Sequence, residues 1–99
     1  MGGGEVAKIA LGGGITLSGF SDLDSGKLMV VKKMVGNFVS KSGSDSSKLN
    51  LNLKEVHKTE TNRKYEIKGV FDLDGQIKQA EIVDYNLFFA LNKVLTKLK

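Results

Sequence analysis

The chain has 99 residues, no cysteine and no proline, and carries a formal charge of +4 from fourteen lysines and Arg63 set against eleven carboxylates. That length supports a single compact core, with room for a binding surface and little for a deep, walled active site. The lack of cysteine excludes a disulfide framework, a thiol nucleophile and a cysteine-rich zinc centre, and no apolar run approaches the roughly 20 residues a bilayer span takes.

These limits predict a cytoplasmic chain with no membrane anchor, since the opening "MGGGEVAK" also lacks a signal-peptide core. Residues 1–5 read as a flexible lead and residues 6–99 as one α/β domain. The basic excess permits a polyanion partner without requiring one.

Val6–Leu11 and Ile15–Phe20 are two β-leaning runs joined by Gly12-Gly13-Gly14, which suits a hairpin or a bulged strand. Ser25 offers an N-cap oxygen to the helix that follows, with Asp22 and Asp24 near its positive end. In "GKLMVVKKMVGNFVSKSG" the residues Leu28, Val31, Met34, Val35 and Phe38 fall on one helical face, with Lys32, Lys33, Asn37 and Ser40 largely opposite. Gly36 is costly inside a helix, which predicts a close approach there.

Ser42–Ser47 reads as a loop. Leu49, Leu51 and Leu53 then alternate with polar residues as a strand, with a bulge or strand end near Glu55. Thr59–Asn62 makes the next turn. Asp74-Gly75 is a favoured two-residue hairpin turn, and it sets a register. Ile67 faces Ile82, Gly69 faces Ala80, Phe71 faces Lys78 and Leu73 faces Gln76, while Lys68 meets Glu81 on the other side. Gly69 beside Ala80 leaves space for a helix. Asn86 caps the last helix, whose apolar face is Leu87, Phe88, Leu91, Val94, Leu95 and Leu98. The fold expected is therefore an α+β two-layer domain of β-α-β-β-β-α order. Its sheet has four mainly antiparallel strands, both helices cover one face, and an extra N-terminal strand is allowed.

Three chemical readings fail on spacing. A phosphate loop needs a glycine at position 21 and a hydroxyl after Lys27, where Ser21 and Leu28 stand. "DLDSG" and "DLDG" lack the further ligands of a calcium loop. His57 is the only histidine and has no ligating companion, so no catalytic residue, metal or cofactor is assigned and the chain is read as a non-enzyme without a small-molecule substrate. Among the aromatics, Phe71 and Phe88 read as core and Tyr65 as half exposed, while Phe89 either completes the core or meets a partner. Two lysine groups remain: Lys32, Lys33, Lys93 and Lys97 on the helices, and Lys54, Lys58, Arg63 and Lys64 near one end of the sheet. They either solvate the surface or form an electrostatic footprint for structured RNA.

"ITLSGFSDLDSGKL" and "GQIKQAEIVDYNLFFALNKVLTKLK", with Gly19, Ser25, Asn86, Phe88 and Ala90-Leu91-Asn92 at the matching places, resemble the ribosome hibernation-promoting factor family of ribosome-associated translation inhibitors. The resemblance spans residues 15–99. It implies a fold similar to double-stranded-RNA-binding domains, and basic helical and strand-end residues set against small-subunit ribosomal RNA. The competing expectation is a protein-interaction module, or a homodimer through a sheet edge or Phe89, with incidental basic charge.

Overall fold

A computed structural model describes residues 8–12, 14–21, 23–42, 47–56 and 64–99. The expected turn at Thr59–Asn62 and His57 lie outside the described residues. The elements are β1 (Lys8–Leu11), β2 (Ile15–Ser18), α1 (Ser25–Ser42), β3 (Lys48–Val56), β4 (Lys64–Leu73), β5 (Gln76–Asp84) and α2 (Leu87–Leu98). The domain is α+β, as expected. The sheet has five strands in the order β1-β2-β3-β4-β5, the extra N-terminal strand being present beside the four expected, and it is mixed. β2 pairs with β3 in parallel, and the other neighbours are antiparallel. The parallel pair needs a crossover, and the 18-residue α1 supplies it between the two strands.

β1 and β2 pair antiparallel as a hairpin, with Leu11 opposite Ile15. β2 stops at Ser18 because Gly19 turns the chain with a φ of +81°. A Cβ at Gly19 would land on the Leu53 carbonyl oxygen, so only glycine lets β2 approach β3 this closely. The N-cap of α1 is Asp24 and not Ser25. Its Oδ1 accepts from the Lys27 N–H at 2.8 Å, and its carbonyl accepts the first helical bond from Leu28. Both residues are good caps, and the hydrogen-bond phase of the helix selects the earlier one. Asn86 caps α2 as expected, accepting from the Phe89 N–H at 3.0 Å.

β3 ends at Val56 without a bulge, and its partners run unbroken from Lys48↔Asp72 to Val56↔Lys64. The β4–β5 register is the one that Asp74-Gly75 requires, with Leu73↔Gln76, Gly69↔Ala80, Ile67↔Ile82 and Lys68↔Glu81. Asp74 and Gly75 have φ of +53° and +91°, the two positive values of a type I′ turn.

One face of the sheet carries the core. Ile15, Leu17, Leu49, Leu51, Leu53, Tyr65, Ile67 and Phe71 are buried there against Val31 and Val35 of α1 and Leu87, Ala90, Leu91, Val94, Leu95 and Leu98 of α2. A Cβ on Gly69 would come within 2.9 Å of Leu51, Val94 and Leu98 side-chain carbons, so α2 sits down on the space that Gly69 leaves. Phe38 of α1 meets Phe71 edge-on at 4.9 Å between ring centroids. Gly36, by contrast, faces open space, and no close approach explains it. Tyr65 is buried, not half exposed, because β4 begins at Lys64 and places it within the strand on the core side.

The topology also orients the helices. β2, β3 and β5 run in one direction. α1 follows β2 and α2 follows β5, each running back along the sheet, so the two helices are parallel and both C-terminal ends lie at the same end of the domain. Lys41, Lys97 and Lys99 stand there, where cations favour the negative ends of the helix dipoles.

Candidate nucleic-acid interface

Lysine is the most numerous charged residue type, so the distribution of the lysines decides which surface could hold a polyanion. α1 carries Lys27, Lys32, Lys33 and Lys41, and α2 carries Lys93 and Lys97. Neither helix contains a carboxylate. The helical layer is therefore cationic throughout, and the described acidic residues lie on the sheet and in the connections.

The structure divides the described members of the predicted site between two faces. Lys32, Lys33, Lys93 and Lys97 are all exposed on the helices. They do not form one row. At 100° per residue, Lys32 falls on the flank of α1 away from α2, and Lys33 on its outer surface. Lys93 leans the other way, toward the end of β5, where its Nζ donates to Asp84 Oδ2 at 2.8 Å. The Lys93 ammonium, helped by the Asn86 N–H, holds the Asp84 carboxyl below the usual aspartate range. Part of the Lys93 charge is thus already answered within the domain.

Lys54 and Lys64 lie on the opposite, open face of the sheet. They are diagonal neighbours there, since Lys54 faces Glu66 and Lys64 faces Val56. The Lys64 ammonium sits 5.1 Å from the ring centre of Tyr85, a cation–π contact. Lys58 and Arg63 lie outside the described residues. The open face is electrostatically mixed: Lys8, Lys48, Lys54, Lys64 and Lys68 share it with Glu66, Asp72 and Glu81. A hydrogen bond with Glu66, with some desolvation, holds the Glu81 carboxyl above its ordinary value, and Lys68 acts against that rise.

The side chains that do meet between the helices were missed from the sequence. Asn37 and Lys41 of α1, with Asn92, Thr96 and Lys99 along α2, line a groove of about 170 Å³ with Met34, Phe38 and Leu95. A signal for it existed. Residues 25–42 and 87–98 are free of Asp and Glu, so every helical lysine, Lys27 and Lys41 included, belonged in one set. Tyr85 was also overlooked, although it and Phe89 are the two exposed aromatics of the described structure, at 61% and 63%.

Among the described residues no three His, Cys, Asp or Glu side chains gather to hold a metal ion. No described helix is long and apolar enough to cross a membrane. No protein-family model matches the chain, and neither a curated protein nor a solved structure does.

Proposed function

We propose that this is a non-enzymatic, ribosome- or structured-RNA-associated domain of the cytoplasm, similar in action to the hibernation-type translation inhibitors its sequence resembles. It acts by occupancy: cationic side chains hold it in an RNA channel and exclude other ligands. The observation that carries this reading is the helical layer, with six lysines and no carboxylate. Such a surface contacts phosphates and carries no base-reading code, which suits recognition of RNA by shape.

Phosphate contacts release counterions, so binding weakens steeply as salt rises. The test is co-sedimentation with ribosomal subunits at low and high salt. Wild type is compared with two charge-reversal variants, one at Lys32, Lys33, Lys93 and Lys97 and one at Lys54 and Lys64. Low-salt binding that only the helical variant loses supports the helical layer. Loss in the Lys54/Lys64 variant alone moves the interface to the open sheet face. A wild type that never co-sediments ends the RNA reading.

A second reading, a protein-interaction module, is favoured by one observation: the described structure leaves the outer edge of β5 unpaired and Phe89 exposed.

A further inference from the structure

β5 is nine residues long, lies last in the sheet and contains no proline or bulge. The tight turn decides which of its backbone groups face outward. In a two-residue hairpin the closing pair, Leu73 and Gln76, exchanges both hydrogen bonds, and alternate pairs follow suit. The amides and carbonyls of Gln76, Lys78, Ala80, Ile82 and Asp84 therefore point to β4, and those of Ile77, Gln79, Glu81 and Val83 point out of the sheet. The other edge, β1, offers four residues among those described.

An antiparallel strand laid on this edge by a second copy must pair odd positions with odd, since only those present outward hydrogen-bonding groups. A two-fold axis through Ala80 does this and matches the side chains as well. Ile77 then faces Val83 of the other copy, and Gln79 faces Glu81, an amide against a carboxylate. On the helix side Gln76 faces Asp84, and Ala80 faces Ala80. Lys78 lies along Ile82, its ammonium already turned to the Lys99 carbonyl at 2.7 Å. The neighbouring registers fail. An axis at Gln79 sets Ile77 against Glu81, and an axis at Glu81 sets that carboxylate against its own copy. Ile77 and Val83, 62% and 48% exposed, are the apolar pair that this one register covers.

We propose that two copies of this chain pair through β5, antiparallel about Ala80, to form one continuous ten-stranded sheet. The pairing is independent of the RNA reading. The bonds are backbone bonds, so added salt does not dissociate the dimer.

The chain lacks cysteine, so single thiols report the register. In Ala80→Cys the two thiols meet across the axis, whereas in Ile77→Cys they stand about 20 Å apart along the strands. Gln79→Pro removes an outward N–H and no bond within the protomer. Sedimentation velocity across a concentration series, at low and high salt, is run beside disulfide formation under mild oxidant. The expected result is a concentration-dependent dimer that survives high salt. Ala80→Cys cross-links at least tenfold faster than Ile77→Cys, and Gln79→Pro is monomeric with an unchanged circular dichroism spectrum. A wild type that stays monomeric, a Gln79→Pro dimer, or equal cross-linking of the two thiols overturns it.

Discussion

Replacing Gly19 by alanine tests the β2–β3 join, on which the order of the sheet depends. Gly19 holds a φ of +81°, and a Cβ there would overlap the backbone oxygen of Leu53, in the middle of β3. The left-handed conformation alone costs a non-glycine residue about 1–2 kcal/mol. The overlap is with main chain, not with a flexible side-chain end. Relief therefore means moving a strand whose neighbours Leu51 and Ile67 are almost wholly buried. Disruption of that kind adds about 1–3 kcal/mol, as overpacking does elsewhere. The expected loss is about 2–5 kcal/mol, against a total of about 5–15 kcal/mol for a native domain. For a chain of this size it lowers Tm by roughly 8 °C or more. Urea denaturation of Gly19→Ala and wild type, with the slope m compared, measures it. A loss under about 1 kcal/mol at unchanged m would refute the argument, because neither the strain nor the overlap could then be real.

Three further outcomes follow from the same geometry. Gly36→Ala should stabilise the fold by about 0.5–1 kcal/mol in the same urea assay, because the helix gains propensity and the new methyl meets open space; destabilisation would reveal a neighbour at that position. Asp84 titrates below the ordinary aspartate value, so its stabilising contribution is present above that value and is lost as pH falls through the depressed folded-state pKa. An NMR titration should show Lys93→Met returning the Asp84 midpoint upward, and an unmoved midpoint would deny the ion pair its role. Glu81 has the opposite sign: its raised folded-state pKa favours the protonated form, so stability is lost as pH rises through it. Glu81→Gln should therefore melt higher than wild type at neutral pH, with the difference shrinking in acid; a lower Tm at pH 7 would count against the Glu66 contact.

The elements governed by short-range rules were legible in the residues. Asp74-Gly75 allows essentially one turn, and the turn carries the register of two long strands with it. The leucine alternation from Leu49 to Leu53 matches what is buried, and so does the apolar face of α2, except that Phe88 is only partly buried and Ala90 joins the core in its place. What the sequence did not display depends on partners far along the chain. Whether β3 lies parallel to β2 is decided by a crossover through α1, and strand patterning is silent about direction. Tyr65 has the composition of a strand-end residue until β4 is seen to begin one position earlier. The candidate interface was half legible. Charge sign along each helix can be counted, but which lysine is answered by Asp84, and which face the groove between helices, depends on how α2 is rotated against β5.

The consecutive order of β3, β4 and β5 has a kinetic consequence. Their pairs, from Leu73↔Gln76 and Val56↔Lys64 outward, are made between segments close in the chain. The parallel β2–β3 pair closes only after the whole of α1 has been bridged, with Leu17 waiting for Leu51. Loop closure costs entropy before the distant contact returns any, so the expected order is the β3–β4–β5 meander first, with β2 adding to it later. Opening runs in the reverse order. In native-state hydrogen exchange the amides of β1 and β2 exchange through the smallest openings, while the Ile67 and Ile82 ladder persists until the whole domain unfolds.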